Sequence, residues 1–298
     1  MRISTGQIQQ TMLGSLQNNY SDFGRLQQQM SSAKKLLQPS DDPIGAVKLI
    51  GLQKEQASLK QFKDNIAMVK TQLSQGEVQM ESMTNVLLRM QDLTQMAANG
   101  SYGDDEREAM AVELRQLQDS LVDLANARDE NGSYLFSGSA VKTAPIAKDA
   151  TGKYLYQGDS YQRDVMVAQG VSIAANDNAA DLFFANGDFF NQMDALLNEL
   201  DNPTGQGADL ASAMLDQLSA TQQSVTRVQS GVGARINTLD QLDEAHDEQK
   251  LFSQEVSNQI EALDYSDAAT QLSNVLLSLQ VTQQAYGKVN NLSLFNYL

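Results

Sequence analysis

One heptad pattern in this chain is long enough to constrain its architecture. Alternating steps of three and four residues from Leu59 pass through twelve positions, and ten of them are apolar. The series is Leu59, Phe62, Ile66, Val69, Leu73, Gly76, Met80, Met83, Leu87, Met90, Thr94 and Ala97. Such spacing places side chains on one helix face, and a long repeat is typical of helices that pack side by side. Asp42 and Pro43 favour a helix start and Asn99-Gly100 favours its end. The predicted helix is about 80 Å long.

Two further apolar series predict helices that pack against the first. One follows Asp104 and Asp105, which suit a helix N-terminus, and is predicted to end at Asn131-Gly132. The other begins near Ala208. It contains Met214, Leu218, Val225, Val228, Val232, Leu239 and Leu242, and then shifts register to Phe252, Val256, Ile260 and Leu263. The predicted fold is therefore mainly α: an elongated rod of long antiparallel, coiled-coil-like helices.

The middle of the chain has a different periodicity. Residues Lys153 to Tyr156 and Tyr161 to Val167 read as short strands, with glycine-containing turns between the apolar runs. A small β-rich insert is therefore predicted within the rod. The predicted domains are an inner assembly domain of residues 1–42 and 264–298, a helical rod of 43–132 and 185–263, and an outer β-rich insert of 133–184.

Both chain ends carry apolar seams that are predicted to pair with each other, and this pairing buries only one stripe of each helix. The C-terminal segment is apolar on more than one face, and such helices need several neighbours. Burying its last five large side chains would contribute roughly 7–15 kcal/mol. The sequence favours self-assembly over a tail that folds back on its own bundle. The predicted assembly residues are Leu13, Leu16, Tyr20, Phe23, Met30, Leu272, Val275, Leu279, Tyr286, Val289, Leu292, Leu294, Phe295 and Leu298.

Composition narrows the classes of partner. The formal net charge is −16, which disfavours nucleic acid and anionic membranes because both attract basic surfaces. There is no Cys, so disulfides and thiolate metal sites are excluded. The N-terminal stretch lacks the apolar core of a cleavable signal peptide, and no apolar run approaches the length of a membrane span.

No motif in the sequence predicts catalysis, a cofactor or a metal. His246 is the single histidine and lies among charged residues, so we predict a solvated helix position for it. The acidic pair at Asp41-Asp42 precedes a helix and is predicted to cap it. The stretch "NDNAAD" from Asn176 lacks the Gly and Glu of a calcium loop, so a turn is predicted. The stretch "GVGARI" from Gly231 has no strand before it and is not a dinucleotide fingerprint.

Five segments, in this order, resemble the flagellin superfamily nearly end to end. They are "KKLLQPSDDPIGAVKL", "LLRMQDLTQMAANGS", "ANARDENGSYLFSGS", "LDYSDAAT" and "LSLFNYL". The start "MRISTGQ", the insert "YQGDSYQRDVMVAQGVSI" and the ending are more similar to the hook-associated proteins of the hook–filament junction than to flagellins.

The resemblance implies an extracellular structural protein of the bacterial flagellum. It implies export through the flagellar type III apparatus without signal cleavage, and a cytoplasmic chaperone on the C-terminal region. The expected partners are copies of the chain in a ring, the first hook-associated protein below and flagellin above. A minor flagellin that forms the filament itself is the alternative, and a soluble coiled-coil adaptor is a third hypothesis.

Overall fold

The computed structural model describes residues 5–99 and 102–291 and is mainly helical. The helices are α1 (Thr5–Ser32), α2 (Pro43–Ala97), α3 (Asp104–Ala125), α4 (Ala179–Phe183), α5 (Phe189–Asp201), α6 (Gly207–Glu261) and α7 (Tyr265–Asn291). The strands are β1 (Ile146–Lys148), β2 (Tyr154–Tyr156), β3 (Asp164–Ala168) and β4 (Val171–Ala174). The predicted fold class, long helices with a small β-rich insert, is confirmed.

The chain divides into two compact units. Unit 1 comprises Met1–Ser58 and Glu248–Leu298, and unit 2 comprises Leu59–Asp247. Both boundaries fall inside the long helices α2 and α6, each of which continues from one unit into the other. The division into three predicted domains at other boundaries stays a prediction.

The start of α2 is capped as the sequence indicates. The Asp42 carboxylate accepts hydrogen bonds from the backbone N–H groups of Ile44 (3.1 Å) and Gly45 (3.0 Å). Asp41 accepts from the N–H groups of Leu37 and Gln38, and these bonds lower its pKa. Both carboxylates therefore organise the turn before the helix.

The core of unit 2 is built on the heptad face of α2. Nearly every predicted position from Ile66 to Ala97 is buried. Gly76 and Thr94, which depart from the apolar pattern, are buried as well. The Thr94 hydroxyl donates to the Met90 carbonyl at 2.7 Å. α3, α5 and α6 complete this core with leucine, methionine and phenylalanine side chains.

Polar pairs show that α2 and α6 run antiparallel. In unit 2, the Lys63 ammonium lies 3.2 Å from Asp243 and 2.5 Å from Asp247, and Lys70 pairs with Asp240. As the residue number rises along α2, the number of the partner in α6 falls. The antiparallel arrangement predicted from the heptads is confirmed.

Two antiparallel hairpins form the β-rich insert. β1 pairs with β2, with Ile146 opposite Tyr156, and β3 pairs with β4, with Asp164 opposite Ala174. The two predicted strands, Lys153 to Tyr156 and Tyr161 to Val167, are confirmed as β2 and β3, and each is shorter than expected. β1 and β4, which have three and four residues, were not predicted. Gly170, at φ +76°, provides the left-handed turn between β3 and β4.

The predicted end of α3 at Asn131-Gly132 is wrong. The helix ends at Ala125, because Asn126 turns its side chain to the insert. The Asn126 amide nitrogen donates to the Ile146 carbonyl at 2.9 Å, and its oxygen accepts from the Ile146 N–H at 3.0 Å. The side chain thus occupies both backbone groups of the first residue of β1 and fixes the strand beside the helix end.

The predicted seam near the end of α6 is also wrong at Phe252, which is 67% exposed. Ser253 and Ser257 are buried there instead. In unit 1 the Gln56 amide of α2 donates to the Ser253 hydroxyl at 3.3 Å. Small hydroxyl side chains therefore face α2 in this stretch, and the apolar spacing that includes Phe252 follows another face.

His246 is not solvated, contrary to the prediction from its charged neighbours. It is 6% exposed, and its ring stacks on Phe62 with centroids 5.7 Å apart. Its Nε2 lies 2.8 Å from the Val167 carbonyl. A carbonyl only accepts, so Nε2 carries the hydrogen of this bond. On the adjacent residue, the Met166 carbonyl accepts from Asn65 of α2 at 2.7 Å. Strand β3 is therefore fastened to both long helices.

We expect His246→Leu to lower the free energy of unfolding by about 1–3 kcal/mol, because the Val167 carbonyl loses its buried donor. Urea denaturation of the full chain measures the change. Glu244→Ala, at an exposed position of the same helix, is the control and should unfold like the unchanged protein. Equal midpoints for His246→Leu and the control would show that this hydrogen bond does not stabilise the fold.

Candidate assembly interface

Helices α1 and α7 pack against each other within unit 1. Leu26, Ala268 and Leu279 are buried in this unit. The side chain of Asn19 donates to the hydroxyls of Ser278 (3.0 Å) and Thr282 (3.3 Å) of the opposite helix. Apolar and neutral polar contacts thus join the two helices, which we call the arm pair.

Tyrosine hydroxyls add contacts at two places along the arm pair. The Gln283 amide donates to the Tyr20 hydroxyl at 2.9 Å. The Tyr265 hydroxyl donates to the Met30 carbonyl at 3.1 Å, close to the end of α1. The start of α7 is capped by Asp264, whose carboxylate accepts from the N–H groups of Ser266 and Asp267. Local capping and cross-helix bonds therefore define where α7 begins and how it faces α1.

The predicted assembly residues occupy different environments in the arm pair. Leu279 is buried, whereas Leu13 and Tyr20 are exposed. The half-buried ones are Leu16, Phe23, Met30, Leu272, Val275 and Tyr286. Val289 lies in α7, and Leu292, Leu294, Phe295 and Leu298 lie outside the described residues. The role of this set in assembly stays a prediction.

Sequence reasoning missed one buried residue of the arm pair, Leu26. Leu26 lies three residues after Phe23 and four before Met30, so the 3-4 rhythm could have revealed it, and it is among the most buried residues of unit 1. The C-terminal helix is apolar on more than one face, as the sequence indicates, and α7 has an exposed apolar patch formed by Leu276, Leu277 and Val281. We call it the α7 patch. Leu277 and Val281 lie off the predicted seam.

The arm pair is nearly free of charge. Residues 5–21 of α1 and residues 268–287 of α7 contain no Asp, Glu, Lys or Arg. Isolated exposed apolar side chains are ordinary on protein surfaces. Here Leu277 is 61% exposed and Val281 57% exposed on a helix that lacks charges over 20 residues. Depletion of charge around apolar side chains is typical of the centre of a protein–protein interface.

The acidic residues in the described part of the chain do not form a metal site. Within 5–99 and 102–291, no group of three or more His, Cys, Asp or Glu side chains could hold a metal ion. In the stretch "NDNAAD", Asn178 caps α4 by accepting from the Asp181 N–H, and Asp177 pairs with Arg235. Nor is any of the described helices both long and apolar enough to cross a membrane.

Comparison with known proteins identifies the relatives of this chain. The family model of the bacterial flagellin N-terminal helical region matches residues 3–141. The flagellar hook-associated protein 3 of Escherichia coli K12 is 26% identical over 99% of both chains. A flagellin of Listeria monocytogenes is 21% identical over 87% of this chain and 92% of its own length.

One solved structure has a higher sequence identity to this chain than these relatives have. A structure described as a flagellar hook-associated protein from Vibrio parahaemolyticus is 37% identical, with a TM-score of 0.71. The match covers 74% of this chain and 100% of that one. The chain therefore belongs to the flagellar hook-associated proteins of the flagellin superfamily.

Proposed function

We propose that this chain is a structural component of the hook–filament junction of the bacterial flagellum, joined to its neighbours through the arm pair. The observation that carries the proposal is the nearly charge-free arm pair with its exposed α7 patch. Desolvating charged groups is costly, whereas burying Leu276, Leu277 and Val281 is favourable. A surface of this composition suits contact with other subunits, and the role is structural rather than enzymatic.

The partners follow from the family. They are other copies of the chain arranged in a ring, the first hook-associated protein on one side and flagellin on the other. A cytoplasmic chaperone would hold the C-terminal region before export through the flagellar type III apparatus to the cell exterior. The E. coli relative that matches over its whole length supports the hook-associated role.

A minor flagellin remains the alternative, and its support is weaker. The flagellin of Listeria monocytogenes is 21% identical to this chain, below the 26% and 37% of the two hook-associated relatives. A soluble coiled-coil adaptor would cover its own apolar helix faces. The exposed α7 patch argues against that third hypothesis.

The experiment replaces the α7 patch by Leu276→Gln, Leu277→Gln and Val281→Gln in one chain. We expect normal helix content by circular dichroism, because these side chains are exposed. In cells that lack the natural gene, this variant should not support filament growth or swimming, because neighbouring subunits lose an apolar contact. Electron microscopy and a motility assay give the readout.

The matched control replaces three exposed apolar residues of unit 2, by Leu155→Gln, Tyr161→Gln and Met166→Gln. This control should restore filaments and swimming. Normal filaments with the α7 patch variant would contradict the proposal. Equal loss in both variants would show that the effect is not specific to the arm pair.

A further inference from the structure

The net charge of the chain is divided very unequally between its two units. Unit 1 contains 8 Lys and Arg against 9 Asp and Glu, a net charge of −1. Unit 2 contains 13 Lys and Arg against 28 Asp and Glu, a net charge of −15. Nearly all of the charge that keeps the protein soluble therefore lies on unit 2, while the arm pair belongs to the neutral unit.

We infer that copies of this chain meet through unit 1 and that repulsion between their unit 2 surfaces makes the association depend on ionic strength. The inference rests on the proposed function and adds its regulation. In this association, unit 1 of a second copy covers the α7 patch. A neutral, apolar surface can approach a like surface without electrostatic cost, whereas two bodies of charge −15 repel each other.

The attraction through unit 1 and the repulsion between unit 2 surfaces are linked because both units belong to one chain. Because α2 and α6 each run through both units, every copy that joins through unit 1 brings another unit 2 with it. Attraction and repulsion therefore grow together as subunits are added. The balance between them decides whether a dilute solution contains single chains or assemblies.

Salt weakens the electrostatic repulsion between unit 2 surfaces but not the apolar contact through unit 1. Electrostatic interaction between exposed charges reaches about 30 Å at 0.01 M ionic strength and about 10 Å at 0.1 M. Burial of apolar side chains does not weaken in this range. Raising the salt concentration should therefore reduce the repulsion of unit 2 and leave the contact through unit 1 intact.

The test is sedimentation velocity of the full chain in 20, 100 and 300 mM NaCl over a series of protein concentrations. We expect the association constant to rise at least about tenfold from the lowest to the highest salt. A neutralised variant changes the net charge of unit 2 from −15 to −9, so at 20 mM it should associate more strongly than the unchanged protein does at the same salt concentration. It removes six exposed acidic groups of unit 2: Glu81→Gln, Asp92→Asn, Glu108→Gln, Asp123→Asn, Asp216→Asn and Glu244→Gln.

The matched control exchanges Glu and Asp at the same six positions and so keeps every charge. It should follow the unchanged protein at each salt concentration. An association constant that is independent of salt, or a neutralised variant that behaves like the control, would overturn the inference but leave the proposed function standing. If the α7 patch variant associates like the unchanged protein at every salt concentration, the proposed contact through unit 1 is wrong.

Discussion

A chain truncated after Leu263 should lose the helical signal of α1 together with that of α7, and should not assemble at all. α1 is rich in Gln, Asn and Ser, and its buried side chain Leu26 lies in the arm pair. Most helical stability in proteins comes from tertiary packing, so α1 without α7 should be marginal. Unit 2 should unfold at an unchanged temperature, because the main buried apolar cluster draws its residues from Ile66 to Leu239 alone.

Hydrogen exchange and scanning calorimetry measure the two parts separately. The amides of Thr5–Ser32 should exchange rapidly in the truncated chain, while the main calorimetric transition stays in place. The control ends after Asn291 and keeps all of α7, so it should retain protection in α1. Protection of α1 without α7 would show that it packs elsewhere. A large shift of the main transition would show that unit 2 depends on the arm pair.

Arg235→Met should destabilise unit 2 by about 3 kcal/mol at pH 7, because it leaves a largely buried carboxylate without its partner. Arg235 of α6 donates to both carboxylate oxygens of Asp177, at 2.8 and 2.6 Å. It also donates to the Ala174 carbonyl at the end of β4, at 2.9 Å. The same side chain therefore neutralises Asp177 and anchors the second hairpin to the helix.

The cost of this substitution should depend on pH. Burial raises the pKa of Asp177, and Arg235 offsets part of that rise. The folded chain therefore binds the Asp177 proton more tightly than the unfolded chain. The contribution of this carboxyl to stability is fully present below its ordinary pKa of 3.8 and is lost as the pH rises through the raised value. In Arg235→Met the pKa should rise further, so acidification should reduce the penalty.

Urea denaturation at several pH values tests this result. Arg235→Met should be most destabilised at neutral pH, and the double variant Arg235→Met with Asp177→Asn should recover part of the loss. Arg227→Met, at an exposed position of the same helix, should behave like the unchanged protein. A penalty that does not change with pH would mean that lost packing, rather than the unpaired Asp177 carboxylate, causes the destabilisation.

The helical part of the fold was predictable because it follows one strong rule. A heptad repeated over twelve positions requires a long helix with a partner, and the buried face of α2 from Ile66 to Ala97 follows that repeat. Thr94 breaks the apolar pattern without breaking the helix, since its hydroxyl bonds to the preceding turn. Local spacing and capping therefore carry enough information for long elements.

The contacts that join distant segments were not predictable in the same way. The charged neighbours of His246 indicated solvent, but the ring is buried by strand β3, which lies 79 residues away in the sequence. Asn126 likewise ends a helix by bonding to Ile146. No single-sequence pattern encodes which strand covers which helix face. In the arm pair, spacing predicted that α1 and α7 carry seams and that the C-terminal helix is apolar on a further face, but it did not predict how deeply each residue is buried.

The segments that connect the arm pair to the long helices are bonded to each other. Lys34 and Ala262 form an antiparallel bridge, the Lys35 N–H donates to the Glu261 carbonyl at 2.7 Å, and the Leu263 N–H donates to the Ala33 carbonyl at 3.2 Å. A mechanical load on the arm pair is therefore shared by two backbone segments that are hydrogen-bonded side by side. The two segments cannot separate until several hydrogen bonds break together, so tension or torque on one arm is transmitted to both segments.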